Sequence, residues 1–408
     1  MRSSYDSRRR VLDALAHREP DRVPIDLGGM LSTGIHAIAY NRLKEHLGIK
    51  GGVTKVVDTF QFLAVPEEPV LRFAWADVLP LLREPKKWRK WRLADGSECL
   101  VPYDFQPEEK ADGSYVYTHA TGVVMRMPPG GFYFDMIVHP LSKATSLKEL
   151  EEFNWDSLLV KKETPYWESL REMGARARKL YNDTGYAVMF NFGGNIFEGA
   201  WFLRGFTQFL LDLLKRPRIA EYIMDRLVEV HKENFKVYMN YLKGYFDIVQ
   251  VGDDLGHQEG PIMPPRVYRE LIKPRHEELY RYLKKMSGAY LFMHSCGSIR
   301  AFLPDLIEIG VDAINPVQVS ARNMDTRELK EEFGDEITFW GGGCDTQRVL
   351  PLGSPEDVKR EVKRRVENLA PGGGFVFTQV HNIQPEVPPR NVVAMYEAIH
   401  EYGWYHRS

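Results

Sequence analysis

Tyr290-Leu291-Phe292-Met293-His294-Ser295-Cys296-Gly297 is an apolar run that ends abruptly in polar, small and metal-capable side chains. An unbroken apolar run, rather than an alternating one, suits a strand buried on both faces of a parallel sheet. Runs of the same kind recur at residues 187–192, 247–251, 313–315, 337–340 and 375–378. Amphipathic segments with helix punctuation fill the gaps. Thr164-Pro165 opens one that puts Trp167, Leu170, Ala177 and Leu180 on one face, and Gly185 closes it. Pro217 and Gly244 bracket another. Ser354-Pro355-Glu356-Asp357 opens a third, with a capping serine, a first-turn proline and acids at the positive end of the helix dipole. Near the N-terminus a short helix carrying Val11, Leu12 and Leu15 precedes a strand at 23–27, and a further strand is expected at 70–75.

Eight strands alternating with helices predict an α/β fold, a closed (β/α)8 TIM barrel whose reactive groups sit at the C-terminal ends of its strands. An open doubly wound sheet wants a GxGxxG turn after its first strand, and Asp26-Leu27-Gly28-Gly29-Met30 lacks that spacing. Residues 84–141 do not follow the repeat. Asp95-Gly96, Asp112-Gly113 and Pro128-Pro129-Gly130-Gly131 punctuate short alternating strands there, which predicts a β-hairpin insertion over the barrel mouth. The expected organisation is one TIM-barrel domain over 1–408 with a β-rich insertion at 84–141.

Composition narrows the function classes. Apolar residues make up 44% of the 408 and charged residues 27%, which argues against global disorder. Basic and acidic side chains number 54 and 56, and the near-neutral balance argues against a nucleic-acid partner. Cys99, Cys296 and Cys344 are odd in number and lack a framework spacing, so a reduced, cytoplasmic protein is expected. Met-Arg-Ser-Ser-Tyr-Asp at the start leads into charges without an apolar core, which reads as no signal peptide. The most apolar stretch, 196–214, carries Glu198, Arg204 and Asp212, so no membrane partner is expected. General frequencies among enzymes favour a homodimer.

The chemistry concentrates at strand ends. Side chains two apart on an extended chain share a face, so His294 and Cys296 can present imidazole and thiolate together. The strand at 337–340 runs into Gly341-Gly342-Gly343-Cys344-Asp345, and Cys344 can complete a three-ligand nitrogen and sulfur set if both strand ends meet at one barrel face. Three protein ligands leave zinc a position for water or substrate, the arrangement of a catalytic site. The plain alternative is that both cysteines are small core hydrophobes. Cys99, in the insertion, is read as structural.

Met293-His294-Ser295-Cys296-Gly297, Gly343-Cys344-Asp345, Pro20-Asp21-Arg22-Val23-Pro24 and His381-Asn382-Ile383 followed by Val387-Pro388 resemble the uroporphyrinogen decarboxylase superfamily. Within it, His-x-Cys with a distant cysteine is similar to the zinc-dependent, corrinoid-linked methyltransferase branch, the aryl methyl ether O-demethylases among them. Decarboxylases of the superfamily typically carry an N-terminal Arg-Gln-Ala-Gly-Arg segment, where this chain has Gly28-Gly29-Met30-Leu31-Ser32. The resemblance implies a TIM barrel, zinc held by His294, Cys296 and Cys344, and methyl transfer involving cobalamin. No Asp-x-His-x-x-Gly cobalamin motif occurs in the chain, so the corrinoid is expected on a partner protein.

Two chemistries follow from that resemblance. Zinc can convert a thiol such as coenzyme M into a thiolate that accepts a methyl group, or it can polarise the oxygen of a methyl ether so that Co(I) displaces the methyl group. The second is preferred, with a methoxylated aromatic donor, because Tyr115, Tyr117, Phe132, Tyr133 and Phe134 crowd the insertion. Those rings read equally well as the insertion's own core. Asp253, Asp254 and Glu198 follow strand ends and are the candidate catalytic carboxylates, with Glu198 also a candidate oxygen ligand or an ion-pair partner of Arg204. Asn315, Gln318, His381 and Asn382 are the candidates for contacts to substrate or to the corrin amides. A decarboxylase-type lyase and a carrier without turnover are the competing classes.

Overall fold

A computed structural model describes residues 6–405. Seven parallel strands form the barrel wall: β1 (Val78–Leu81), β2 (Ala187–Gly193), β3 (Ile248–Gly252), β4 (Tyr290–His294), β5 (Ala313–Asn315), β6 (Thr338–Trp340) and β7 (Phe375–Val376). They neighbour one another in chain order. Residues 23–27 close the ring between β7 and β1. The N–H of Asp26 donates to the Phe377 carbonyl (2.9 Å), that of Phe377 to the Pro24 carbonyl (2.8 Å), and that of Asp77 to the Ile25 carbonyl (2.7 Å). Pro24 has no N–H to give, so this segment makes a bridge at Ile25 rather than a regular ladder.

Both faces of the wall are buried, which is why the strands read as unbroken apolar runs. Val78, Ala187, Met189, Ile248, Phe292, Ala313, Trp340 and Val376 pack inside the barrel, where Val11, Ala14 and Leu15 of the helix Ser7–Leu15 join them. Val188, Phe190, Val249, Leu291, Met293, Ile314 and Phe339 belong to the outer core shared with the helices. At the base, Asp77 is fully buried and accepts from Arg10 (2.7 Å), Arg22 (2.7 Å) and the Ile25 N–H (2.9 Å).

Two sequence expectations are corrected. Residues 70–75 are not a strand: Glu68–Ala74 is a helix, started by an acid and a proline in its first turn, and the strand comes after it at β1. The helix expected from Thr164-Pro165 begins at Leu170, because Ser169 and Glu172 form a reciprocal capping box; the Trp167 indole lies outside it and donates to Asp104 (2.8 Å).

Residues 84–141 hold a hairpin, Trp88–Arg92 with Glu98–Pro102, and a sheet of Glu108–Glu109, Tyr115–Thr118, Val124–Met127 and Asp135–Val138. They share a small core with the helix Ala37–His46 and the segment after it, built from Ile38, Val56, Phe62, Cys99, Phe105 and Phe134. Their far side meets the helix Phe197–Arg204 across a cleft of about 330 Å³. Among the described residues no helix is long and apolar enough to cross a membrane.

Candidate metal centre

The β4 strand delivers His294 and Cys296 to the C-terminal mouth, and the chain after β7 delivers His381. Their ligand atoms all lie within 4.8 Å of one another. His294 Nε2 and Cys296 Sγ are 3.3 Å apart. The His294 ring is fixed from behind. Asn315, fully buried at the end of β5, donates through its amide to the Trp340 carbonyl (2.8 Å), so its oxygen accepts from His294 Nδ1 (2.6 Å). That puts a proton on Nδ1 and turns Nε2 toward Cys296, the orientation a metal ligand needs.

His381 holds a positive φ of 61°, a left-handed backbone uncommon outside glycine. Burial, reinforced by the His294 ring, lowers its pKa to about 3, so it is a neutral imidazole. Its Nδ1 lies 2.8 Å from the Asn382 N–H, which fixes the ring; a metal taken at Nε2 requires the tautomer with its proton on Nδ1 and gives up that hydrogen bond. Gly297 turns the chain behind Cys296 with φ of +85°. A Cβ there would lie 2.2 Å from the Gly256 carbonyl carbon, so no larger residue fits.

Cys344, the third ligand expected from sequence, does not join this group. It is fully buried, and the charges that reach its thiol are Glu361, Asp345 and Arg365, two of them on the helix Pro355–Leu369 behind the strand. The turn through Gly341 and Gly342, both at positive φ, redirects the chain, and the Cys344 carbonyl takes the Val380 N–H (2.9 Å). Its side chain is part of the hydrophobic core, and His381 is the third member of the group.

The carboxylates divide into three roles. Asp253 is fully buried and caps the helix Phe197–Arg204, accepting from the N–H groups of Ile196 and Phe197 (both 2.9 Å) and Glu198 (2.7 Å), and from His276 Nε2 (2.7 Å). Three of these bonds fall on Oδ2 and one on Oδ1, which fixes the carboxylate as the cap of that helix. Asp254 accepts the Cys296 N–H (2.7 Å) and lies 3.7 Å from His294 Nε2. Glu198 accepts from the Asn195 amide (2.8 Å), and burial, then the charges of Asp254 and Asp253, raise its pKa well above the usual carboxylate range. Arg204 pairs with Asp212 (2.7 Å) instead of with Glu198.

Gln318 accepts the Gly297 N–H (2.8 Å) and donates to Gln258 (2.9 Å), which buttresses the Cys296 loop. Asn382 accepts the Gly34 N–H (2.9 Å) and donates to Gln61 (3.1 Å), tying two mouth loops together. Sequence reasoning missed His276 and Asn195, and it placed His381 among the substrate or corrin contacts rather than beside His294 and Cys296. A histidine inside a long polar helix carries no local signal of burial, and only closure of the barrel brings β7 beside β4.

The donor set fits a divalent cation. One thiol and two imidazoles converge, and burial followed by the charges of Asp254 and Glu198 raises the Cys296 pKa well above that of a free thiol. Such a concentration of acids without a counter-charge is what a bound cation would relieve.

Fold and site define a class, the (β/α)8 barrels with a histidine and thiol cluster at the catalytic mouth. The chain belongs to the uroporphyrinogen decarboxylase (URO-D) family, whose model matches residues 164–402. It is similar to the uroporphyrinogen decarboxylase of Serratia proteamaculans, 26% identical over 211 residues, which is 50% of this chain and 54% of that one. The enzyme of the same name from Methylococcus capsulatus is 31% identical over 85 residues, 21% and 23% of the two chains. The chain thus spans about half the length of these curated relatives or less. A solved methyltransferase from Methanosarcina mazei shares the fold with a TM-score of 0.62 at 17% identity, over 98% of this chain and 99% of that one.

Proposed function

We propose that the chain is a zinc-dependent methyltransferase that moves a methyl group from a methoxylated aromatic compound to the Co(I) corrinoid of a partner protein. The observation that carries the reading is the convergence of His294, Cys296 and His381 at the barrel mouth. Bound zinc would supply a Lewis acid, and a set with one thiolate rather than two leaves it more positive and better suited to an oxygen than to a thiol.

The chain's own residues do the rest. Asn315 holds the His294 tautomer, and Asp254 and Gln318 hold the Cys296 loop through its backbone. Glu198, whose carboxyl is shifted toward the neutral form by burial and then by the charges of Asp254 and Asp253, would be the proton donor to a departing alkoxide or phenolate oxygen. The cleft beside Asn195 and Gly199, lined by Met125, Met136, Phe202 and Leu203, offers an apolar wall to an aromatic ring. A porphyrinogen decarboxylase must hold several substrate carboxylates, and here the charges nearest Cys296 are themselves carboxylates. The corrinoid partner would dock over the C-terminal face, where the cluster opens.

The test mixes zinc-loaded protein with a Co(I) corrinoid protein and a panel of methyl donors and follows the cobalamin spectrum. Methyl-Co(III) formation from methoxybenzenes supports the reading. Demethylation of methyl-Co(III) by a thiol, with no reaction of any ether, assigns the chain to thiol methylation instead. Release of carbon dioxide from uroporphyrinogen would make it a lyase.

A further inference from the structure

A second cavity, of about 320 Å³, lies in the insertion apart from the metal cluster, and its walls include His36, Phe62, Trp91, Arg92, Tyr115 and Phe132. Its polar group is unusual. His36 is 2% exposed, and its Nδ1 accepts the Ile38 N–H (3.1 Å) as the cap of the helix Ala37–His46. Burial lowers its pKa to about 4, so the ring is neutral and its one proton is on Nε2. That Nε2 has no hydrogen-bond partner. The Phe132 carbonyl is near enough to favour the N–H but does not meet it in hydrogen-bonding geometry. Buried donors are almost always satisfied, and an unmet one beside a cavity is a donor awaiting an acceptor.

The surroundings define what that acceptor belongs to. Phe132 and Tyr133 set their rings edgewise to His36 at 5.9 and 5.8 Å, and Trp91 lies 5.8 Å from Phe62 and 5.0 Å from Tyr115. These walls suit a flat aromatic ring. At the rim, the Arg92 guanidinium makes one long bond to the Gly96 carbonyl (3.4 Å), and no ion pair of Arg92 occurs among the described residues. An unpaired guanidinium matches a carboxylate.

We propose that this cavity binds an oxygen-substituted monocyclic aromatic carboxylate: the ring among Phe62, Trp91, Tyr115 and Phe132, the ring oxygen on His36 Nε2, and the carboxylate on Arg92. The site is separate from the metal cluster yet joined to it through the backbone, since the His36 N–H donates to the carbonyl of Ile383 (2.9 Å), two residues beyond His381.

The proposal does not depend on methyl transfer, so it is tested on metal-free, full-length protein without corrinoid. Isothermal titration with 4-methoxybenzoate should give a saturable binding component that depends on Arg92 and His36. Arg92→Gln, at an exposed position, should weaken it about tenfold while leaving the binding of anisole unchanged. His36→Asn, which keeps a capping oxygen, should weaken both probes. No saturable heat up to about 10 mM overturns the proposal, as does affinity unchanged in both variants. Loss of binding in Cys296→Ser with no effect of Arg92→Gln would move the ligand to the barrel mouth and overturn it equally.

Discussion

Replacing Asp253 should separate a positioning role from a catalytic one. Its carboxylate is fully buried and accepts four hydrogen bonds, three from the first N–H groups of the helix Phe197–Arg204 and one from His276. In Asp253→Ala the helix loses its cap, which by itself costs about 1 kcal/mol. The His276 N–H and helix donors left buried without an acceptor add about 1–3 kcal/mol each before the site relaxes. Partial relaxation and water entry bring the expected net loss to about 4 kcal/mol, similar to breaking a buried charged pair. Asp253→Asn keeps one acceptor oxygen and should lose about half as much, about 2 kcal/mol. Urea unfolding followed by circular dichroism measures both, and zinc content measured alongside should stay at the wild-type level. An alanine variant within about 1 kcal/mol of wild type would refute the capping argument. So would a stable Asp253→Asn protein that binds substrate normally but has lost turnover, which would return Asp253 to the chemistry.

Three further outcomes are expected. Cys344→Ala should retain zinc and lose about 1–2 kcal/mol of stability, because its thiol fills core space; loss of zinc by mass spectrometry would reinstate it as a ligand. Gly297→Ala should weaken zinc retention against a chelator by at least about tenfold, since the new Cβ drives the Cys296 loop off Gly256; unchanged retention would show that loop to be yielding. Asp26 is buried and its pKa is raised to about 6, so the folded state holds a proton that the unfolded state gives up near pH 4. Its contribution is therefore present below about pH 4 and is lost as pH rises through about 6, a change of about 3 kcal/mol that Asp26→Asn should flatten in a series of urea midpoints.

How much of this was legible in sequence depended on how local the signal was. β4 and its neighbours are buried on both faces, so their apolar runs marked them without reference to the rest of the fold. Segment 23–27 was legible as extended chain, though Pro24 keeps it from being a regular strand. β1 was hidden because Pro80 interrupts its short run, while the preceding Val70, Leu71 and Phe73 looked like a strand and form a helix face instead. His294 ends β4 and Cys296 lies two residues further along the chain, so their pairing could be read directly. The grouping of His381 with them could not, because only barrel closure brings the chain after β7 beside β4. Asp253 and Asp254 show the same limit: adjacent residues of identical chemistry, one consumed by a helix cap and the other placed against the Cys296 loop.

Metal content across four proteins tests the central assignment most directly. Wild type and Cys344→Ala should each carry about one zinc per chain, whereas Cys296→Ser and His381→Ala should carry little while keeping the wild-type circular dichroism spectrum. Zinc retained in His381→Ala and lost in Cys344→Ala would contradict the centre described above.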